Sequence, residues 1–365
     1  MSKISLKHSG GNVVSLNAPT NAPSAADVAF KLPNQDGSAS QALVTDGSGN
    51  LSFASVAGAG KARNLVINGA MLLAQRGTST TSNGYLIDRF RSNLGGFDQL
   101  AFTMSQSTDA PSGFRKSLKF DVTTAETGGV GTDEYGGIRY ITESQDVAHL
   151  LYGTSAAKTI TLSFHVKAYQ TGTYALNLYM GDTARIYTTT YTISQSATWE
   201  KKTLTFVGDT GGSEINVDAG HGLYINWFFA AGTDYTSSSA NTNQWAAFSN
   251  AGWAYGQAVD LTNSTDNYFQ LTGVQLEVGN VATDFEYRPF GQELALCQRY
   301  YFTNSSAYFP SPMAMQFEFP TTMRAAPTIT HGHSGSPQMY NITQYGFNGY
   351  SSGNSQGPYY ASAEL

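Results

Sequence analysis

The chain has 365 residues, a net charge of −6, 41% hydrophobic and only 13% charged residues, and a single cysteine. That length fits two or three domains with cores of their own, and the acidic balance excludes the basic footprint that nucleic-acid binding requires. The lone Cys297 excludes an internal disulfide framework, so packing or oligomerisation must supply stability.

Where charge is scarce, Ser, Thr, Asn, Gln, Gly and Tyr replace it; this suits pleated sheets with polar outer faces and predicts an all-β protein. The start, MSKISLKHSGGNVVSL, lacks the apolar core of a signal peptide. No apolar run approaches the roughly 18 residues of a membrane span. These features predict synthesis in a host cytosol and no membrane insertion.

Residues 1–62 form the first region, poor in aromatics apart from Phe30 and Phe53. Alone, it buries too little apolar surface to offset the entropy of ordering. Short extended pieces are visible in VAFKLP and QALVTDGSGNLSFAS, with a turn at Asp46-Gly47 and Gly49-Asn50. This extended segment is expected to order against sister copies or a virion protein; a disordered tail is the other reading.

Residues 63–290 carry repeated period-two patterns. In TITLSFHVKA, Ile160, Leu162, Phe164, Val166 and Ala168 share one face; LYINWFFA does the same with Leu223, Ile225, Trp227 and Phe229, and SLKFDVT with Leu118, Phe120 and Val122. Such strands between Gly- and Ser-rich turns predict an antiparallel jelly-roll β-sandwich. In NYFQLTGVQLEVG the apolar parity flips at Gly273, which predicts a β-bulge there.

Residues 291–365 open with a short helix at QELALCQRY, whose Leu294, Cys297 and Tyr301 make one apolar stripe. The stripe fits either a three-fold axis or packing on its own domain. The rest of this region reads as a small C-terminal β tip domain, too poor in apolar residues to stand alone and expected to dock on sister chains.

Several motifs resemble those of bacteriophage tail fibres with a carbohydrate-binding-module-like jelly roll. They are Asn68-Gly69, Gln75-Arg76-Gly77 and Asp88-Arg89-Phe90 at the start, with Phe90 where Trp is usual, and Gly273 to Glu277 through Arg288-Pro289 at the close. CQRYYF, MRAAPTIT and the final SAEL resemble a fibre-tip domain, and LPNQDGSASQALVTDGSGNLSF the stretch that precedes such domains. The resemblance implies a homotrimer in the virion, attached through its N-terminus to a phage tail or adaptor protein, with jelly rolls and tip facing host surface glycan.

For chemistry, the aromatic-rich segment 232–260 stands out. Trp245, Trp253, Tyr235 and Tyr255 offer flat faces for pyranose rings, and Asn243 and Gln244 offer oriented hydrogen bonds. The alternative is that both tryptophans pack beneath the loop or against a neighbouring subunit. No catalytic residues are assigned: Asp133-Glu134 sits in a Gly-rich loop without the opposed geometry of a glycosidase pair. No metal or cofactor is assigned either; His331 and His333 lack a third ligand, and no acidic loop compels the structural calcium common in such modules. Cys297 reads as a buried small side chain. Three functions remain in view: a fibre that binds host polysaccharide without cleaving it, a purely structural or decoration fibre, and a depolymerising tail spike.

Overall fold

The computed structural model describes residues 3–7, 13–17, 31–34, 36, 41–45, 48, 50–55, 64–309, 311, 313–333 and 337–365. The chain divides into two compact units, Met1–Ala62 and Arg63–Leu365. In the first, β1 (Lys3–Lys7) pairs with β2 (Val13–Asn17) and β3 (Gln41–Thr45) with β4 (Leu51–Ser55), both antiparallel. The β3–β4 pair is the one expected around the Asp46 to Asn50 turn, although Asp46, Gly47 and Gly49 lie outside the described residues. In VAFKLP, Lys31 makes an isolated bridge to Asn50, while Val28 to Phe30 lie outside them too.

The second unit holds the predicted jelly-roll sandwich. Its strands are β5 (Ser79–Thr80), β6 (Phe90–Gly95), β7 (Ala101–Ser107), β8 (Ser117–Thr124), β9 (Tyr135–Glu143) and β10 (Ile160–Ala168). They continue as β11 (Gly172–Met180), β12 (Arg185–Ile193), β13 (Glu200–Phe206), β14 (His221–Ala231), β15 (Ala246–Ala247) and β16 (Tyr268–Val278). Two six-stranded antiparallel sheets result, ordered β13-β10-β16-β8-β7-β5 and β15-β12-β11-β14-β9-β6. The alternating apolar residues of β8, β10 and β14 all face the core between them. Burial on one face and polarity on the other fix the register, because a one-residue slip would invert every side chain.

Gly273 is the predicted bulge. Ser163 pairs with Gln275 and His165 with Thr272, so Gly273 and Val274 together oppose Phe164. Gly273 has φ +61°, and a Cβ there would lie 2.6 Å from Phe114 Cζ. The extra residue returns Phe269, Leu271, Val274 and Leu276 to the core, while Val278 at the strand end is exposed.

The helix Phe290–Gln298 packs on its own chain, with Cys297 buried among Ile67, Leu73, Ile141 and Tyr300. Beyond it lie β17 (Tyr301–Phe309), β18 (Met315–Glu318), β19 (Thr328–His331), β20 (Gln338–Tyr340), β21 (Gly346–Tyr350) and β22 (Ser355–Ser362). They form two three-stranded sheets around Phe309, Phe319, Met323, Phe347 and Tyr359.

This tip is latched to the sandwich by residues of Gln75-Arg76-Gly77, Asp88-Arg89-Phe90 and the final SAEL. Arg89, wholly buried, pairs with Glu364 and donates to the Ile141 carbonyl, and its guanidinium lies 3.4 Å from the Tyr300 ring centroid. Arg76 reaches Glu364 at 3.1 Å and Asp88 at 3.3 Å, and lies over the Tyr301 ring at 3.7 Å. Gln75 Nε2 donates both to Asp88 Oδ2 and to the Tyr301 carbonyl, each at 2.9 Å. On the other flank the buried Glu143 accepts two bonds of 2.8 Å from Arg299 and one of 2.6 Å from the Tyr300 hydroxyl. The tip therefore finds at least part of its support within its own chain, where the sequence pointed to sister chains. Among the described residues no helix is long and apolar enough to cross a membrane.

Candidate functional site

The outer face of the sheet β15-β12-β11-β14-β9-β6 carries a row of polar side chains at one level. Strand alternation produces it: Phe90, Ile138, Tyr140, Ile225, Trp227, Leu176, Leu178 and Tyr187 point inward, so their neighbours Arg91, Arg139, Asn226, Asn177 and Thr188 point outward. Cross-strand register brings them together, Arg91 opposite Arg139, Arg139 opposite Asn226, Asn226 opposite Asn177 and Asn177 opposite Thr188.

Hydrogen bonds run along this row. Arg139 Nε donates to Asn226 Oδ1 at 2.6 Å, Asn226 Nδ2 to Asn177 Oδ1 at 2.6 Å, and Asn177 Nδ2 to the Trp253 carbonyl at 2.5 Å. Thr188 Oγ1 donates to the Gly252 carbonyl at 3.0 Å, which also accepts from Asn241 Nδ2 at 2.9 Å. The buried half of the row thus fastens the segment after β14 onto the sheet. The half at β9 and β6 is left open, with Arg91, Arg139 and Tyr224 only half-buried.

Above the row stands an aromatic cluster. Trp253 meets Phe228, Tyr179 and Phe248 edge to face, with centroids 6.0, 5.6 and 5.3 Å away. Tyr135 and Tyr235 form another edge-to-face pair at 4.9 Å. Between these groups lies a cleft of about 210 Å³ lined by Tyr135, Tyr235, Phe248, Asn250 and Trp253. Phe248 is 39% exposed, whereas Trp253 is 8% exposed and forms the floor.

The six residues singled out from the sequence do not form one patch. Trp253 and Tyr235 meet in this cleft. Trp245 lies elsewhere: its Nε1 donates to the Val207 carbonyl at 2.8 Å and its ring wedges against Tyr152 and Tyr187. Asn243 accepts from Thr189 Oγ1 at 2.7 Å, and Gln244 Nε2 donates to the Ala240 carbonyl at 2.7 Å, so each exposed amide is engaged locally. Tyr255 is half-buried and outside the cleft lining. Sequence reasoning missed Tyr135, Tyr179, Arg139 and Arg91; the outward position of each Arg beside an inward aromatic was the available signal.

The other candidates resolve locally. Glu134 is buried and accepts from the Gly131 amide at 2.6 Å, which makes it a loop cap, while Asp133 is exposed. His331 is exposed; His333 is buried with Nδ1 3.1 Å from Ser355 Oγ, and the two rings are 5.7 Å apart. Among the described residues no three His, Cys, Asp or Glu side chains are grouped to hold a metal. Burial pushes the Cys297 thiol well above its usual pKa, so it stays protonated. A wider cleft of about 520 Å³ opens on the tip beside Gln316, Glu318, Asn341, Thr343 and Tyr345.

No family model matches the chain. No curated protein matches it in sequence. Among solved structures, the tailspike protein 4 enzymatically active domain of bacteriophage CBA120 overlaps 59% of this chain and 21% of its own, with 12% identity and a TM-score of 0.31. The chain thus spans about a fifth of that protein. A CBM4 module overlaps 58% of this chain and 98% of its own, at 12% identity and a TM-score of 0.30. A family 11 carbohydrate-binding module from Clostridium thermocellum, in complex with a β-1,3-1,4-mixed-linked tetrasaccharide, overlaps 56% and 98%, at 12% identity and a TM-score of 0.28. Likenesses this distant carry no argument about function.

Proposed function

We propose that the protein is a homotrimeric phage tail fibre, a virion structural protein that recognises host cell-surface polysaccharide without cleaving it. The observation that carries this reading is the cleft between Tyr135, Tyr235 and Phe248, floored by Trp253 and bordered by the amide row. Aromatic faces accept the apolar face of a pyranose, and a few fixed polar groups orient its hydroxyls. Glu134, engaged with its own loop, is unsuited to serve as one member of a cleaving carboxylate pair. Trimerisation is supported by exposed apolar side chains on the tip, Met313 at 71%, Met315 at 44% and Tyr340 at 39%.

The test is adsorption of the purified full chain to host polysaccharide. Phe248→Ala and Tyr235→Ala should weaken binding with the thermal melt unchanged, and sedimentation should give three chains. Retained adsorption in both variants refutes the site, and released oligosaccharide refutes the non-cleaving role. A purely structural fibre is the second reading, favoured by the deep burial of Trp253.

A further inference from the structure

The open half of the polar row poses an electrostatic problem. Arg91 and Arg139 are direct cross-strand neighbours on β6 and β9, and like charges placed so repel each other. The chain is acidic overall, yet no acid answers them: among the described residues, no carboxylate lies within 4.0 Å of either guanidinium. Arg139 donates through Nε to Asn226, and Arg91 through Nε to the Ser92 carbonyl at 3.3 Å. Neither spends an Nη group on a described protein atom. Asp182, near Tyr224, accepts from the Asn216 amide at 3.1 Å, and Asp133 and Asp234, near Tyr235, pair with neither arginine.

The setting of Arg139 sharpens the point. Its guanidinium lies 5.3 Å from the Tyr224 ring centroid and 5.6 Å from that of Trp253, the floor of the cleft. Burial, and less strongly the Arg91 charge, lower its pKa. A half-desolvated guanidinium with free Nη donors is complementary to a planar anion, which it can hold by two parallel hydrogen bonds. A sugar ring stacked in the adjoining cleft would bring such a group within reach.

We infer that this face takes a carboxylate-bearing saccharide of the uronic-acid type, its carboxylate held between Arg139 and Arg91 and its ring set toward Trp253. The inference rests on the proposed glycan-binding role and names the ligand class. It predicts affinity that falls with added salt and with loss of the sugar's charge.

Titration of the full chain with methyl glucuronide, followed through the shift in tryptophan emission, tests it, since Trp253 beside Arg139 is retained in every variant. The expected result is a saturating shift, at least tenfold weaker with the neutral methyl glucoside and with Arg139→Gln. Arg91→Gln, which leaves the amide row intact, should bind at least fivefold more weakly and melt no lower than the parent, because it removes a repulsion. Glucose 6-sulfate binding as tightly as the glucuronide would overturn the carboxylate assignment in favour of a sulfated sugar. No shift with the glucuronide, or an equal response to the neutral glucoside, would overturn the inference outright. The broader glycan-binding reading is decided separately, by host-polysaccharide adsorption of Phe248→Ala.

Discussion

Replacing Glu364 with Gln isolates the latch between sandwich and tip. The carboxylate is shared by Arg89, whose side chain has no exposed surface, and Arg76, whose side chain is 14% exposed. Gln keeps the shape and one acceptor but removes the only negative charge paired with Arg89 among the described residues. Arg89 keeps its bond to the Ile141 carbonyl and its place against the Tyr300 ring, and neither neutralises it. An unpaired buried charge costs about 3–5 kcal/mol. Part returns through Asp88, whose carboxyl is held up chiefly by burial and also by the Glu364 charge, and which ionises more readily once that charge is gone. A net loss of about 2–4 kcal/mol is expected. Urea unfolding at pH 7, read by tyrosine and tryptophan fluorescence together with protease cutting between the helix Phe290–Gln298 and β17, measures it. A loss under about 1 kcal/mol, with cutting unchanged, would refute the claim that this pair holds the tip.

Three further substitutions probe the fold and the cleft. Asp88 is raised to about 6, first by burial, against an unfolded value near 3.8. Its contribution is therefore full below pH ~4 and fades as pH rises through ~6, by about 3 kcal/mol in all. Asp88→Asn should flatten the stability profile over that window, and an unchanged slope between pH 4 and 6 contradicts the assignment. Gly273→Ala forces a side chain into positive φ and against Phe114 and His165, so denaturant melts should show a loss of about 1–3 kcal/mol; a neutral result means the bulge is not required. Trp245→Ala should cost about 3 kcal/mol in the same assay with glycan adsorption unchanged at low temperature. Lost adsorption in a folded Trp245→Ala protein would return that residue to the site.

The sandwich was legible because period two is a local signal: Ile160 to Ala168 or Leu223 to Phe229 can be assigned from a few neighbours. The bulge was legible for the same reason, since the parity of Phe269 and Leu271 against Val274 and Leu276 changes at one glycine. The binding face was legible only in part. Trp253 and Tyr235 drew notice as aromatics in a polar loop, but one ring becomes a floor and its companion Trp245 a wedge fixed by the Val207 carbonyl. Arg91 and Arg139 were not legible in sequence, because their pairing depends on the register of β6 with β9. The motif strings were recognisable, yet their work joins residues up to 288 positions apart and no local pattern encodes that.

A shallow cleft of about 210 Å³ with few donors suits a weak site, and a millimolar constant corresponds to only about 4 kcal/mol. In the proposed homotrimer that weakness is tolerable. Three linked copies meeting a repetitive polysaccharide turn later contacts into intramolecular events, raising avidity by roughly 10² to 10⁴ when the geometry permits. The latch bears on this, since in such a trimer a tip and sandwich fixed to each other would keep the three clefts at set spacings. Adsorption of intact fibres should then exceed that of single chains by at least a hundredfold on polymer and by nothing on a monosaccharide. Equal adsorption on polymer would mean that the clefts do not act together, and the case for a trimer would have to rest on assembly alone.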